Sequence, residues 1–518
     1  MKKFIMMLSA MLPIMAVNVY GFSDVPKGHW AESYITRVYD AGIMQGVGNN
    51  EFGFGQNVKK SEFITMLCNM MNWEVTKKEG VWYEPYVEAG YKHGIIDSLN
   101  ISANDFITRK EMAEMLIKSL GFNDIETDGS PFRDVNNSYI TAAHDFGIIS
   151  GKGNGFFAPS DFASREETAS MMCRFYDKYN KNIEHLHGFY AISSWNQREL
   201  AQNMDSISFG WSRLEYDNGV LLNTTSSNNN DWAIPEGSED AVNYFRSKNI
   251  PENLAVIMNT SQKGEGSENA CETILLNDNN RKKAVELITN AALDFNGVTI
   301  DFEGMKGEEL KNGFNLFLAE LREKLPDNKL IYTAVHPVMA GEYYNAYDYS
   351  TIGELSDMII LMAHDYGANY MNEKERNSGF TTTPVTPFNQ VYIAIKSICE
   401  QVNDKNKIAM AISAASTTCW ILDNDGKVTN EYSVHPDTDT VEKRLAQKDT
   451  VIEYSQKYRN PKATYTNDKG QKVVLWYENY QSISDKIILA KMFGINKISV
   501  WRIGQIQNDI WSAIEENR

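Results

Sequence analysis

Cysteine is scarce in this chain, which has five among 518 residues. An odd and sparse set does not supply a disulfide framework. The chain also lacks a CxxC pair and an HExxH motif, the spacings that hold zinc in many proteins. We therefore expect no cofactor and no transition-metal site. Calcium held by carboxylates leaves no such signature in a sequence and stays open.

Positive charge and long apolar runs are also in short supply. The chain has 50 lysines and arginines against 68 aspartates and glutamates, a net charge of -18, which argues against nucleic acid as a partner. An apolar run in MKKFIMMLSAMLPIMAVNVYG follows two lysines and predicts a secretory signal peptide over residues 1–21. A membrane anchor is the alternative, which Pro13 and the shortness of the run disfavour.

The first third of the chain contains an internal repeat. Three segments align at intervals of 52 and 53 residues, and in each a short predicted helix ends at a glycine. A second helix, with a glutamate near its start, is predicted to follow in each repeat. Modules of this period bury their faces by packing on one another. The segments begin at Tyr34, Tyr86 and Tyr139, and the glutamates are Glu62, Glu111 and Glu167.

The repeat openings FSDVPKGHWAESYI and FRDVNNSYI, with the helix starts TRKE and SREE, resemble the S-layer homology domain. The resemblance implies three repeats within residues 22–178, at 22–75, 80–122 and 132–178, which form an all-α pseudo-threefold bundle. It also implies that basic residues bind a secondary cell-wall polymer, so that the protein is secreted and attached to the bacterial cell wall. The alternative is a purely structural repeat with solvated basic residues. The implied polymer contacts are Arg109, Arg165 and Lys60.

Strands and helices alternate after residue 186. Eight apolar strand candidates are separated by helical patterns such as EELKNGFNLFLAELREKL. This alternation predicts a parallel sheet, and eight units over residues 187–518 predict a (β/α)₈ TIM barrel. An insertion at 415–480 follows the seventh strand. The strand candidates are residues 187–195, 206–215, 253–261, 297–303, 329–336, 356–365, 407–414 and 497–504.

The stretch NGVTIDFEG, residues 296–304, carries two carboxylates at the end of the fourth predicted strand. Because side chains alternate along a strand, Thr299, Asp301 and Glu303 share one face. Active sites of such barrels lie at the C-terminal ends of the strands. Polar and aromatic residues also end other predicted strands, so we expect them to meet at one mouth: Tyr190, His336, His364, Asp365 and Trp501.

Two adjacent carboxylates favour hydrolysis of a glycosidic bond. Their charges repel, so one of them tends to hold a proton near neutral pH. A protonated carboxylic acid beside a charged one is the pair that glycoside cleavage needs. Glu303, nearest the mouth, is the predicted acid. No second carboxylate stands at the position of a nucleophile, so we expect the attacking group to come from the substrate.

The segment FNGVTIDFE is similar to the Asp-Gly-x-Asp-x-Asp-x-Glu signature of glycoside hydrolase family 18. The resemblance implies that Glu303 is the general acid and base. It implies that Asp301 orients the 2-acetamido group of the substrate, whose oxygen attacks with retention of configuration. Asn296 and Thr299 replace the outer aspartates, which implies a shortened proton relay.

The segment LMAHDYG resembles the Met-x-Tyr-Asp motif of the same family, with Asp365 as a further catalytic residue and His364 in place of the tyrosine. Over residues 187–518 the resemblance is to the peptidoglycan and spore-cortex N-acetylglucosaminidases. Peptidoglycan or chitin is therefore the implied substrate. A chitin hydrolase and a non-catalytic, lectin-like wall protein remain alternatives. The predicted substrate contacts are His364, Tyr366, Trp501, Tyr190 and Met362.

Overall fold

The computed structural model describes residues 21–76, 78–225, 233–337, 344–364, 366, 369–377, 382, 384 and 386–518. They form two compact units, the first within Met1–Met112 and Pro159–Arg174, the second within Ala113–Ala158 and Phe175–Arg518. No helix among the described residues has the length and apolar character needed to span a bilayer. The predicted signal peptide lies outside the described residues except for Gly21.

Six helices lie in the described part of the repeat region, two for each repeat. The predicted all-α character of this region is confirmed. Each second helix begins with its own glutamate, which accepts a hydrogen bond from the backbone N–H three residues earlier, at 2.9, 2.9 and 3.2 Å. The repeat glutamates therefore cap helices. The helices are α1 (Glu32–Asp40), α2 (Lys60–Met70), α3 (Glu84–Lys92), α4 (Arg109–Ser119), α5 (Ser138–Asp145) and α6 (Arg165–Tyr179).

The same helix starts form a ring of charges in the first unit, here called the ion-pair ring. Two of the basic residues at the helix starts pair with the glutamate of the next repeat, and the charge of Glu62 acts on the third, so the three interactions follow one cyclic order. Backbone bridges between Asn57 and Ser164, Lys59 and Phe106, and Thr108 and Phe162 join the helix starts in the same order. The ring consists of Lys60 with Glu111 (2.6 Å), Arg109 with Glu167 (4.0 Å), and Arg165, on which the charge of Glu62 acts.

The aspartate of the Phe-x-Asp-Val opening organises a loop of its own repeat. The carboxylate of Asp24 accepts hydrogen bonds from the backbone N–H groups of Phe52, Gly53 and Phe54 at 2.7, 2.8 and 2.8 Å. Burial alone would raise the pKa of Asp24, but these backbone bonds together outweigh it and lower the pKa. In the second unit Asp134 accepts two such bonds from its own loop. The aspartate of this motif is therefore structural.

Thirteen strands lie among the described residues, and eight of them close into a parallel barrel. The closed order is β1-β13-β8-β7-β6-β5-β4-β2, with β2 pairing back to β1. The predicted barrel is confirmed. The strands are β1 (His185–Tyr190), β2 (Ser206–Tyr216), β3 (Val220–Asn223), β4 (Glu252–Asn259), β5 (Gly297–Glu303), β6 (Leu330–Val335), β7 (Met358–Met362), β8 (Ile408–Ser413), β9 (Thr418–Leu422), β10 (Val451–Ser455), β11 (Asn460–Thr466), β12 (Lys472–Trp476) and β13 (Lys497–Trp501).

Helices connect the strands. Polar caps set several boundaries, as where Asn277 accepts from the N–H groups of Asn279 and Asn280, and Gly494, with φ of 91°, ends α16. The helices are α7 (Arg198–Ala201), α8 (Ser238–Ser247), α9 (Ala270–Leu275), α10 (Asp278–Ala292), α11 (Glu308–Lys324), α12 (Tyr349–Leu355), α13 (Glu373–Asn377), α14 (Phe388–Gln401), α15 (Thr438–Leu445), α16 (Tyr480–Phe493) and α17 (Asn508–Glu515), with 3₁₀ turns at Ile192–Gln197 and Lys405–Lys407.

Alternation along β5 separates an apolar outer face from a polar inner face, as predicted. Val298, Ile300 and Phe302 are fully buried on the outer side, where Phe302 packs against phenylalanines of α11. Gly297 is the first residue of the strand. A Cβ atom at this position would lie only 2.2 Å from the carbonyl oxygen of Leu330 on β6. The glycine of the signature is therefore required by the close approach of two strands.

The segment between β8 and α16 forms the predicted insertion. Four antiparallel strands pair in the order β10-β11-β12-β9, and α15 lies between β9 and β10 along the chain. One face of this sheet buries a cluster that includes Trp420, Val474 and Trp476. The opposite face packs against Val441 of α15. The insertion thus has a small core of its own on each side.

The end of the second repeat and part of the third repeat pack against α14 within the second unit. Asp145, at the end of α5, accepts a hydrogen bond from the hydroxyl of Tyr392 at 2.7 Å and pairs with Lys396 at 2.9 Å. The ring of Phe122 lies 4.7 Å from that of Phe388, and both rings are buried. These contacts join residues 113–158 to α14.

Candidate active site

The two signature carboxylates lie on the inner face of β5, at its C-terminal end. Asp301 is 2% exposed, while Glu303, the last residue of the strand, is half-buried. Asp301 aligns with Ile257 on β4 and with Ala334 on β6. Both neighbours are apolar, so Asp301 is shielded from water. It lies one step deeper in the barrel than the more accessible Glu303.

Burial shifts the pKa of Asp301. Removal from water raises the pKa of Asp301 well above its ordinary value, and the neighbouring charge of Glu303 raises it further. Its Oδ1 atom is buried and has no hydrogen-bond partner within the described part of the chain. Burial and the charge of Glu303 therefore both favour the protonated form of Asp301.

A chain of uncharged hydrogen bonds fills the barrel below Asp301. Thr299, one step deeper on β5, lies 2.6 Å from the hydroxyl of Ser208, which lies 2.7 Å from Nε2 of His187. The other ring nitrogen of His187 lies 2.8 Å from the hydroxyl of Ser499. Complete burial lowers the pKa of His187 to about 3, so this network is neutral. This neutral network supplies no charge that would offset the burial of Asp301.

Two hydrogen bonds hold the backbone at the C-terminal end of β5. The buried hydroxyl of Tyr347 donates to the carbonyl oxygen of Phe302 at 2.6 Å. The backbone N–H of Thr260 donates to the carbonyl oxygen of Glu303 at 3.2 Å. Burial, followed by the charge of Glu303, raises the pKa of Tyr347, which keeps this hydroxyl a donor. The backbone that carries Glu303 is therefore fixed.

Two predicted substrate contacts face the barrel interior at the mouth. Trp501 ends β13 half-buried, with its ring 5.3 Å from that of Phe189. Met362 ends β7 with 8% exposure, in the same interior cluster. His364 and Tyr366 follow β7 and are half-buried. Asp365 lies outside the described residues.

Tyr190 does not reach the mouth. Its side chain is 2% exposed and packs on the outer side of β1, where its ring lies 5.5 Å from that of Phe245 on α8. Phe189, one residue earlier, faces inward instead. The prediction of Tyr190 as a sugar contact came from its position at a strand end, but the alternation of side chains sends it outward.

Two features of the mouth were not predicted. Arg213 on β2 aligns with Ile257, which aligns in turn with Asp301, so a cation stands at the level of the carboxylates. Beside Trp501 there is a cavity of 590 Å³, walled partly by the insertion. The position of Arg213 near the end of the second predicted strand could have indicated that it lies at the mouth. The cavity could not be predicted in this way, because it depends on how the insertion folds. Its polar lining includes Asn196, Asn369, His435, Asp437, Asp439 and Gln505.

The predicted wall-polymer residues lie in the first unit, and two of them are buried. Arg165 is 4% exposed, and its guanidinium donates to the carbonyl oxygens of Phe52 and Gln45 at 2.7 and 2.6 Å. Arg109 is 6% exposed, whereas Lys60 is half-buried. Both arginines therefore have a structural role, in the ion-pair ring and in the contacts of Arg165 with the neighbouring loop.

Comparison with known proteins agrees with both parts of this architecture. Glycosyl hydrolases family 18 matches residues 169–505, and the S-layer homology domain matches residues 21–64 and 131–169. The cortical fragment-lytic enzyme of Bacillus subtilis (strain 168) is 28% identical over 251 residues, 47% of this chain and 55% of that protein. The putative sporulation-specific glycosylase YdhD of the same organism is 24% identical, over 48% and 57% of the two chains. The chain thus spans a little over half the length of these relatives.

Solved structures resemble about two thirds of this chain. The spore cortex-lytic enzyme SleL of Bacillus cereus superposes with a TM-score of 0.53 at 18% identity, over 65% of this chain and 75% of that one. A chitinase from Chromobacterium violaceum ATCC 12472 superposes with a TM-score of 0.52 at 17% identity, over 64% and 98% of the two chains. These identities establish the fold. Because the family match covers more than half of the chain, this protein belongs to glycosyl hydrolases family 18 and carries S-layer homology domains ahead of its barrel.

Proposed function

We propose that this protein hydrolyses β-1,4 bonds of N-acetylglucosamine in cell-wall peptidoglycan while attached to the wall by its repeats. The observation that carries the proposal is the carboxylate pair at the end of β5. Asp301 is buried and its pKa is raised, and the half-buried Glu303 stands one step nearer the mouth. Membership of family 18 supports the reaction class.

In the proposed mechanism Glu303 protonates the leaving oxygen. A proton on Asp301 before the substrate binds is the source of that acid, so substrate binding has to shift it towards Glu303. Asp301 then carries the negative charge and supports the positive charge that develops on the acetamido group. The acetamido oxygen attacks the anomeric carbon, and water, activated by Glu303, completes retention of configuration.

Other residues of the mouth have supporting roles in this proposal. Trp501 offers an aromatic face to the sugar ring. Met362 limits the depth of the site, and His364 donates a hydrogen bond to the acetamido carbonyl. Asp365 is a further catalytic residue in the proposal. The cavity beside Trp501 accommodates additional sugars of the polymer.

Anchoring is the second part of the proposal. The S-layer homology repeats support attachment to a secondary wall polymer, and hence a secreted location. Lys60 is the most accessible of the three predicted contacts. Arg109 and Arg165, whose guanidinium groups are buried, would act on the polymer mainly by shaping the helix starts.

A digestion experiment tests the proposed function. Purified peptidoglycan and chitin are incubated with the full chain and with Glu303→Gln, and the released ends are analysed by mass spectrometry. We expect reducing-end N-acetylglucosamine from peptidoglycan with the parent protein alone. Release from chitin but not from peptidoglycan would favour a chitin hydrolase. Binding of both polymers without release would favour a lectin-like wall protein and overturn the enzymatic proposal.

A further inference from the structure

The cavity beside Trp501 has an acidic lining. Its volume of 590 Å³ falls within the roughly 300–1,000 Å³ of small-molecule sites. Asp437 and Asp439 line it, and no lysine or arginine is among the described residues of the lining. Arg502 follows Trp501 in the chain but donates to the hydroxyl of Ser193, in the loop after β1, at 2.8 Å. The described part of the lining is therefore negatively charged.

Both aspartates belong to the start of α15. Asp437 is the N-cap residue, and its carboxylate accepts from the backbone N–H of Thr440 at 2.8 Å. Hydrogen bonds from the hydroxyl and the backbone of Thr440 lower the pKa of Asp437, which keeps it charged. Asp439 is exposed and pairs with no cation in the described part of the chain. The positive end of a helix is equivalent to about half a unit charge, so it does not neutralise two carboxylates.

A buried hydroxyl reaches the cavity from the barrel side. Ser413 ends β8 level with Trp501 on β13, and it shares the inner face with Ala411, two residues earlier. Its side chain is 6% exposed and lines the cavity. Among the described residues no group forms a hydrogen bond with this hydroxyl. A buried polar group without a partner is unfavourable, and a ligand in the cavity would satisfy it.

The cavity lies on the side of Trp501 that is remote from the proposed acid. Its described lining outside the insertion comes from the ends of β8 and β13 and from the loops after β1, β7, β8 and β13. Trp501 ends β13, which is separated from β5 by four strand steps in either direction round the barrel. In the proposed mechanism a sugar rests on Trp501 and presents its glycosidic oxygen to Glu303. The cavity therefore receives the sugar that precedes it in the strand, or a substituent of that sugar.

We propose that this cavity binds a primary ammonium group carried by the glycan strand. The inference rests on the proposed function and narrows its substrate class. Asp437 and Asp439 supply the opposite charge, and Ser413 supplies a hydrogen bond. Fully acetylated chitin has no such group. Peptidoglycan offers one in two places, at a glucosamine that has lost its acetyl group and at the side chain of an uncross-linked diamino acid in the stem peptide.

Two pairs of substrates test the charge and separate these two sources. The first pair is the aryl glycoside of glucosamine-β-1,4-N-acetylglucosamine and its N-acetylated counterpart. The second pair is the aryl glycoside of muramyl-tripeptide-β-1,4-N-acetylglucosamine, with lysine as the third amino acid and its side-chain amine either free or acetylated. Within each pair only the ammonium group differs. Assays at about pH 6 keep both amines charged.

The variants remove one carboxylate charge each. Asp437→Asn and Asp439→Asn leave α15 intact, because asparagine caps a helix about as well as aspartate. Asp404→Asn makes the same change at the cap that precedes β8, at the other end of the barrel, and is the matched control. We expect the parent to prefer the ammonium member of at least one pair. Asp437→Asn and Asp439→Asn should each lose about 2–5-fold of that preference in kcat/KM, the control should keep it, and raised salt should weaken it.

A preference in the sugar pair alone or in the peptide pair alone would uphold the site and identify the source of the amine. No preference in either pair, or one that both aspartate variants keep in full, would overturn the site while leaving the hydrolase intact. Failure of the parent to cleave any of the four substrates would count against the proposed function instead. Titration calorimetry of the corresponding methyl glycosides with Glu303→Gln then decides the site. Tighter binding of the ammonium member, lost when Asp439→Asn is added, would uphold it, and equal binding within both pairs would overturn it.

Discussion

Asp301 lies in a wall made by three strands, and its protonation follows from that position. The two-residue spacing predicted that Asp301 and Glu303 share the inner face and that one of them holds a proton. The sequence alone could not show that the pKa of Asp301 is raised by burial. This burial depends on Ile257 and Ala334, which come from other strands and remove Asp301 from water.

The buried proton predicts a stability effect of Asp301→Asn. The folded chain keeps a proton that the unfolded chain releases above a pKa of about 3.9. The contribution of Asp301 to the free energy of unfolding is therefore largest at low pH and falls as pH rises towards the raised pKa. Asparagine needs no proton, so the variant should melt higher than the parent at pH 7, by about 2–4 °C for each kcal/mol recovered, with the gain vanishing near pH 4. Thermal scans at both values check this.

Asp217→Asn makes the same chemical change at an exposed turn and is the control. A melting difference between Asp301→Asn and the parent that is independent of pH would contradict the assigned proton.

A substrate with an activated aryl leaving group separates the roles of the two carboxylates. Glu303→Gln should lose about 10²–10⁴-fold on natural polymer, because it cannot deliver a proton. An aryl N-acetylglucosaminide needs little protonation, so its first cleavage step should partly recover in Glu303→Gln. Asp301→Asn should recover poorly, because the charge that supports the acetamido group is gone. Burst kinetics measure this step, and equal recovery in both variants would refute the two roles.

At the scale of elements, the sequence predicted all eight barrel strands. The apolar runs were long and separated by helical patterns, so their identity was clear, although the first strand begins at His185 rather than at residue 187. The short outer strand β3 was not predicted, since its half-buried residues give no strong alternation. Tyr190 was misplaced because a strand end alone does not specify which face its last residue joins.

Arg165 links one helix start to a loop of the first repeat. Arg165→Lys keeps the positive charge, but an ammonium on a flexible stem cannot replace the fork that serves two carbonyl oxygens. We expect the first unit to lose about 1–3 kcal/mol of stability for each carbonyl left without a donor. Denaturant unfolding followed by tryptophan fluorescence measures the loss. Lys60→Gln, at a more exposed pair, should cost about 1 kcal/mol or less.

If Arg165→Lys lost wall binding while its unfolding stayed unchanged, the structural role of Arg165 would be contradicted. Arg165 would then contact the polymer directly, as the sequence had predicted.

For the whole molecule, the compact units do not follow the order of the repeats along the chain. Residues 113–158 belong with the barrel, although the sequence groups them with the repeats. The repeat pattern could be predicted from aligned tyrosines and glycines. The packing of Phe122 and Asp145 on α14 could not, because Phe388 and Tyr392 look like ordinary core residues of a barrel helix.

This packing predicts where the chain tolerates truncation. Removal of residues 22–178 uncovers Phe388 and Tyr392 and leaves Arg459 without the carbonyl oxygen of Gly121, to which it donates at 2.6 Å. We expect that truncation to melt several degrees lower and to aggregate, whereas a chain that begins at residue 113 keeps these contacts. Light scattering during heating compares the two. Identical melting of both truncations would contradict a structural role for residues 113–158.

The ion-pair ring also limits how such a protein can evolve. Its two ion pairs, and the attraction between Arg165 and Glu62, follow one another in a cycle that returns to the first repeat. Duplication of a single repeat would add a basic residue and a glutamate that have no place in a closed cycle of three. Loss of one repeat would leave two groups without their partners. Changes in anchoring strength should therefore arise by gain or loss of whole triplets, or by substitution at solvent-facing positions, and not by one repeat at a time.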